Sequence, residues 1–400
     1  MMMNKTALFT AISAVFLSQF AFAGQDYFEA RSDAMGGTGV AASNIEGAAF
    51  ANPALLSLPS MRDQGVTLLL PTLGLDAADK DDMIDKIDLL QDDYDALQTA
   101  IDNANPTAVD TYRNALVSDL VSLQDNNAYL SGGIGLSVSM PSKGMSWGLL
   151  YKTYIDGFGI ADISDEDIVL LSTLDPVNPP EIGDLTSQGR VIAGAISDIG
   201  VAVSMPLSIV NMPVTVGVTP KIQRLDSFNY GVSANNFDEG DFDGSDYSND
   251  ETGFNLDVGI AIEPMHGMVI GLAGRNLIKR ELDTVESEGI QATYRVGPTV
   301  TVGVAYQWDG FTVTTDLDLL ENEKFVGLEG TQYWRVGGEY QAMDWLALRL
   351  GYRHDLNDVT ANLYSLGTGF VIGKSFKLDL SGMFGNDNAY GAALQTSYHF

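Results

Sequence analysis

The stretch Ala389–Phe400 constrains this chain more than any other. Tyr390, Ala392, Leu394, Thr396, Tyr398 and Phe400 share one face of an extended strand. Gly391, Ala393, Gln395, Ser397 and His399 share the other. Alternation of period two with aromatics at both ends is what a lipid-facing strand of a membrane barrel requires. A ring on the last residue suits the aromatic girdle at a lipid–water boundary. The edge strand of a soluble sandwich would alternate too, so this stretch needs support from the rest of the chain.

The N-terminus supplies some. Residues 1–23 carry an early Lys5, an apolar run from Ala7 to Leu17, and Ala21-Phe22-Ala23 before Gly24. That is the pattern of a secretory signal peptide. Its apolar run is too short to span a bilayer as a helix. Export and alternation together place the protein in the outer membrane of a Gram-negative bacterium. Cleavage would remove Lys5 and take the net charge from −32 to −33. So acidic a chain repels phosphate backbones, which argues against nucleic acid as a partner. It suits a surface that holds divalent cations against anionic lipid. There is no Cys, hence no disulfide and no thiolate.

Alternating segments recur from residue 61 to 400, and about fourteen can be delimited. The stretch Gln291–Trp308 reads as a single strand among them. Their connections alternate short and long. Pro141–Gly144, Pro264–Gly267, Asp309-Gly310, Gln341–Asp344 and Gly373-Lys374 are short. The connections from Gly74, Gly159, Asp226, Ile278 and Glu321 are long. That parity belongs to bacterial barrels. The expected fold is therefore all-β, a transmembrane antiparallel barrel of about 14 strands.

In the later strands, Leu346, Leu348, Leu350 and Tyr352 alternate with Arg349 and Arg353. Trp334, Val336 and Tyr340 alternate with Arg335 and Glu339. Phe376, Leu378 and Leu380 alternate with Lys377 and Asp379. A charge facing mid-bilayer lipid costs roughly 2–4 kcal/mol. Arg335, Glu339, Arg349, Arg353, Lys377 and Asp379 should therefore face the lumen. They would form either a stiffening ion-pair lattice or a polar conduit.

Residues 76–124 read instead as a helical hairpin inserted in the first long loop, outside the cell. Met83, Ile87, Leu90, Tyr94, Leu97 and Ile101 repeat at spacings of four and three. Asn105-Pro106 then caps and starts a second helix. Asp76, Asp79, Asp81 and Asp82 suit the first helix N-terminus. The hairpin would serve as a lid or as a docking surface.

Residues 24–60 are rich in Gly, Ala and Asn. Gly37-Thr38-Gly39-Val40-Ala41-Ala42 fits the loose dinucleotide fingerprint, but no strand precedes it in a βαβ unit. Irregular backbone enclosed by a barrel explains the composition better. Chemistry elsewhere is sparse. His266, His354 and His399 are scattered without ligand spacing, so no metal or cofactor is expected. Only His354 lies near a long loop, and nothing marks a catalytic partner for it, so no enzyme is expected. The acidic loop Asp238–Asp246 only partly matches a calcium loop.

The segment from Ala30 to Ala41, with Asp33-Ala34-Met35-Gly36-Gly37-Thr38-Gly39 at its centre, followed by Phe50-Ala51-Asn52-Pro53-Ala54-Leu55, resembles the start of the FadL-like outer-membrane transport family. The Met-Gly-Gly-Thr-Gly wording resembles its conjugal transfer TraF-like branch. The thioredoxin-like TraF proteins look different. The resemblance implies a plug, or hatch, inside the barrel, with Gly36, Gly37, Gly39, Asn52, Pro53 and Ala54 as plug residues. It implies Tyr27 and Phe28 at a hydrophobic ligand. It implies uptake of hydrophobic molecules such as long-chain fatty acids, or a docking role in conjugal transfer. Outer-membrane lipid, lipopolysaccharide and, through the strand ending at Phe400, the barrel assembly machinery are the expected partners. The helical insertion and the acidic loop depart from what a fatty-acid channel needs, since carboxylates repel an ionised head group.

Overall fold

The computed structural model describes residues 27–79, 82–124, 126–179, 185–209, 212–233 and 247–400. The signal-peptide and acidic-loop assignments lie outside the described residues. Fourteen antiparallel strands close into one barrel. They are β1 (Thr67–Asp79), β2 (Asn127–Met140), β3 (Ser146–Asp162), β4 (Gln188–Ile209), β5 (Met212–Ser233), β6 (Ser248–Met265) and β7 (Met268–Arg275), then β10 (Thr299–Trp308), β11 (Phe311–Asp318), β12 (Tyr333–Met343), β13 (Leu346–Asp355), β14 (Leu363–Ile372), β15 (Phe376–Gly385) and β16 (Tyr390–His399). Each pairs with its sequence neighbour in the ring, and β16 closes on β1 through Thr67 opposite His399 and Ala77 opposite Tyr390. Phe400 donates its N–H to Val66 O at 3.0 Å, extending the seam. Closure leaves no unpaired edge, the condition for putting a sheet in lipid.

The outward face is apolar. Leu70, Leu75, Leu149, Ile199, Ile222, Ile260, Leu348, Leu350 and Leu366 are all exposed, Leu350 at 64 %. Water-soluble monomers rarely expose so continuous a belt; lipid covers it at no cost. Rings line its margins. Tyr306, Trp308, Phe311 and Tyr340 stack in series at 5.4, 5.8 and 4.5 Å near the short turns. Tyr352, Tyr364 and Phe384 form a second series toward the long loops. No helix among the described residues is long and apolar enough to cross a membrane; the strands do the crossing.

Two expected boundaries move. Gln291–Trp308 is not one strand. It breaks at Gly297-Pro298 into β9 (Thr293–Val296) and β10, because Pro298 has no N–H to give a ladder. β9 pairs with β8 (Arg280–Asp283), and that hairpin folds into the barrel mouth instead of joining the wall. Asp76 is not a helix-start acid. It belongs to β1, opposite Gly391 and Ser131, and its carboxylate lies in the lumen at 3.0 Å from Arg353 Nη2.

Beyond β1 stand α3 (Met83–Asp102) and α4 (Pro106–Leu123), preceded in the chain by the short plug helices α1 (Ala30–Asp33) and α2 (Ala48–Ala51). Asp79 accepts from Met83 N at 2.7 Å, and Asn105 caps α4 by accepting from Ala108 N. Leu90, Leu97, Leu116, Leu120 and Leu123 fill the seam, and a further helix, α5 (Asp165–Thr173), adds Leu171. The three helices make a separate knob with its own small core.

Within that knob the carboxyls of Asp93 and Asp119 meet. Burial, then a shared hydrogen bond, then mutual repulsion push Asp119 up to about 6. The folded knob therefore holds a proton that the unfolded chain releases near pH 4, so its stability falls as pH rises from about 4 to about 6. Limited proteolysis should cut residues 83–123 more slowly at pH 5 than at pH 7.5. Asp119→Asn should remove most of that difference.

The plug and the lumen around it

The chain before β1 runs through the barrel interior. Residues 27–41 are buried throughout, as are 45–58. α1 is set by a reciprocal cap. Glu29 accepts from Ser32 N, and Asp33 accepts from Glu29 N, both at 3.0 Å. This is the logic of a capping box with the two acids in place. Gly36 and Gly37 follow with φ of +73° and +84°, a conformation that side chains resist, and so turn the chain back. Gly39 has a different reason. A Cβ there would meet Tyr27 Oη at 3.1 Å and Ala51 Cβ at 3.2 Å.

Asn52-Pro53-Ala54 forms the start of a 3-10 turn over Pro53–Ser57. Asn52 caps it by accepting from Ala54 N at 3.0 Å, and Pro53 occupies the first position, where no N–H is wanted. The Asn52 amide donates to Val40 O at 3.0 Å and to Ile260 O of β6 at 3.3 Å. One side chain thus joins both halves of the plug to the wall. Ile45, Ala49, Leu55 and Leu56 pack with Leu69, Leu150, Ala202 and Ala261 of the strands in one apolar cluster.

Wall glycines let plug backbone come close. A Cβ on Gly217 would lie 2.5 Å from Pro53 C and Ala54 N, and one on Gly351 would lie 2.7 Å from Met35 Cα. Hydrogen bonds fill in between. Gly39 N and Val40 N donate to Asp316, Gly36 N donates to Ser365 Oγ, and Ala30 N donates to Gln395.

Tyr27 stacks on Phe50 with centroids 5.8 Å apart, and the Arg275 guanidinium lies 5.5 Å from its ring. Phe28 presses its ring against Gly74, among Ala361, Leu363, Met383 and Ala393. Both rings are thus packed into the plug–wall contact.

The six charges named from sequence all turn inward, in two groups. Toward the long loops, Arg335 forks onto Asp318 with both bonds at 2.9 Å, and Arg353 reaches Asp76; both guanidiniums also lie over the Tyr333 ring. Toward the short turns, Glu339 accepts from Arg349 at 2.6 Å, Arg349 donates to Asp379 at 2.6 Å, and Lys377 pairs with Glu46 at 2.7 Å. Glu46 also lies 2.6 Å from His399.

Sequence reading missed three features. Arg31 of α1 forks onto the same Glu339, with two bonds of 2.9 Å; an arginine amid Gly and Ala was its only signal. Across β3 to β6, Lys221 lies 2.9 Å from both Asp198 and Asp257, and Lys152 lies 3.4 Å from Asp198. Exposed Ile199 and Ile222 between inward Asp198, Lys221 and Gln223 carry that signal. The third is the β8–β9 hairpin. Arg280 donates to Gln223 O, Asn229 to Val285 O and Ile290 O, and Arg190 to Ser287 O. The hairpin sets Tyr294 against Gly194, inside a cluster with Tyr154, Ile192, Ile196, Leu225 and Phe325. This part of the upper lumen is thus packed with apolar and aromatic side chains, with Lys324 and Asp156 paired at its margin.

Below the plug, at the short-turn end, lies a cavity of about 300 Å³ with a mixed lining, bordered by Arg31, Met61, Gln307, Arg349, Phe370 and Asp379 among others. Among the described residues, no group of three His, Asp or Glu could hold a metal ion.

Known structures share this architecture. The Ralstonia pickettii toluene transporter TbuX aligns with a TM-score of 0.55 at 12% identity, over 94% of this chain and 99% of its own. A Pseudomonas aeruginosa FadL homologue aligns at 0.53 and 12%, over 95% and 99%. The CymD monoaromatic hydrocarbon channel aligns at 0.54 and 12%, over 95% and 99%. At such identities the likeness is one of fold. No curated protein matches the chain. Residues 49–318 match the family described as F plasmid transfer operon, TraF, protein. The chain belongs to that TraF family and is built on the FadL-like outer-membrane barrel.

Proposed function

We propose that this protein is an outer-membrane channel through which hydrophobic small molecules are taken up, with the buried plug controlling passage. The observation that carries the reading is the division of the lumen. Toward the long loops Tyr154, Tyr294 and Phe325 pack in a buried apolar and aromatic cluster, whereas the cavity at the short-turn end has charged groups such as Arg349 and Asp379 in its wall. An apolar molecule that inserts among those rings leaves water and gains free energy. The short turns then face the periplasm and the helical knob faces outward. The neighbours described as toluene transporters and hydrocarbon channels support the substrate class. Long-chain fatty acids belong to that class, and Tyr27 and Phe28, packed between plug and wall, would meet such a ligand only when the plug shifts.

A second reading has its own observation. The knob of α3, α4 and α5 has a core of its own resting on the ends of β2 and β3 at Ala128 and Ala161, and the TraF family takes its description from a plasmid transfer operon. On that reading the knob docks a partner during conjugal transfer and nothing passes through. Labelled oleate, offered to cells lacking their own fatty-acid channel, separates the two. A barrel lacking residues 83–123 should take up oleate as the full chain does if the barrel is the transporter. Loss of conjugal transfer on that deletion, with no oleate uptake by either form, would favour docking.

A further inference from the structure

The cavity at the short-turn end lies among plug residues 41–44, residues 58–64 and the lower parts of β7 and β10 to β15. Just above it on the same strands, Gly337, Gly351 and Gly367 take the backbone and side-chain bases of Ala34, Met35 and Gly36. α1 and the turn after it therefore separate the cavity from the lumen above. Leu55 and Leu56 of the second half are packed in the apolar cluster, and Leu58, Ser60, Met61 and Gln64 after them border the same cavity. The cavity thus lies beneath α1 and beside the chain that leaves the plug.

Ala30, Gly36, Gly39 and Val40 bind the wall through backbone N–H groups, and over the cavity one side chain adds an ionic tie. Arg31 gives Nε and Nη2 to Glu339 and Nη1 to Ala42 O at 2.7 Å, so α1, the 41–44 loop and β12 meet at one guanidinium. The wall side is held independently, because Arg349 binds both Glu339 and Asp379. Removing Arg31 thus leaves Glu339 partnered and the wall intact. Bidentate arginine–carboxylate pairs are specific in geometry, which a lysine cannot reproduce.

We infer that this cavity is the exit vestibule of the channel, and that the Arg31–Glu339 fork is the latch that holds α1 closed above it. The inference rests on the transport reading given above. With charged groups such as Arg349 and Asp379 in its wall, the vestibule favours release of an apolar molecule over its retention.

Because the chain has no Cys, single cysteines report position cleanly. Ala347→Cys borders the cavity, and Ala393→Cys lies above α1 in the Phe28 cluster. A membrane-impermeant maleimide is added to the short-turn side of the reconstituted protein. Ala347→Cys should react readily and Ala393→Cys hardly at all. Arg31→Gln should raise labelling of Ala393→Cys at least about tenfold, and Arg31→Lys by a lesser factor; the lysine form keeps the test alive if the glutamine form fails to assemble. Unchanged labelling of Ala393→Cys in an assembled Arg31 variant overturns the latch. An unreactive Ala347→Cys overturns the vestibule. Oleate uptake, measured in parallel, separates the two readings. Uptake by the parent with no Arg31 effect sinks the latch alone, whereas an Arg31 effect without uptake keeps the passage and removes the apolar substrate.

Discussion

Valine at Gly351 unseats the plug while the barrel still closes. Its Cβ would be driven into Met35 Cα and the Gly36 peptide, both backbone, and neither can rotate away as a side chain could. Gly217→Val does the same from β5, against Pro53 and Ala54. Overpacking a tight interior costs about 1–3 kcal/mol, and a clash with backbone belongs at the upper end. The two sites sit on different halves of the plug and share no contact residue, so their costs should nearly add. The double variant should therefore expose residues 27–60 to protease and lower the temperature of the barrel's gel-mobility transition. Gly382→Val on β15, where a Cβ meets nothing within 4 Å, is the control and should change neither. Protease resistance of the double variant equal to that of Gly382→Val would show that the plug is not seated on the wall glycines.

Asp198→Ala is the second large effect. Its carboxylate is fully buried between Lys221 at 2.9 Å and Lys152 at 3.4 Å, and it also accepts from Gln223 at 2.9 Å. Removing one partner from a buried ion group costs about 3–5 kcal/mol, because the remaining charge keeps its desolvation penalty. Asp257 and Asn276 still hold Lys221, which places the expected loss at the lower end. Refolding into lipid vesicles followed by urea titration would measure it. Replacing Lys152, Asp198, Lys221 and Asp257 together by apolar residues of similar volume should recover much of the loss. A loss below about 1 kcal/mol for Asp198→Ala would mean that water reaches the cluster.

The wall was legible in the sequence because lipid enforces it. Each strand must present apolar groups at every second position, and Leu346–Tyr352 or Phe376–Leu380 do so plainly. The short turns were legible from Pro, Gly and Asp clusters. What failed was local. Gln291–Ala305 keeps its hydrophobicity across Gly297-Pro298, so a strand pairing inside the mouth looked continuous with the wall. Asp76 looked like a helix start because acids crowd the next six positions, although it pairs with Arg353 across the lumen. The candidate site was legible only in part. Asn52-Pro53 stood out through family resemblance, and the structure gives the physical reason, a cap that also binds Val40 O and Ile260 O. Arg31, Asp198 and Lys221 did not stand out, since their partners lie on other strands and no spacing in the chain announces a pairing that only barrel closure creates.

The most direct test is labelled oleate uptake by cells without their own fatty-acid channel. They would express either this protein or its Asn52→Ala, Pro53→Ala form, matched for surface level. Asn52→Ala removes the cap and both amide bonds, which costs about 3 kcal/mol of plug anchoring. The account predicts uptake above background with the parent and altered uptake with the variant. No uptake from either, with both barrels assembled, would contradict it and turn attention to the knob.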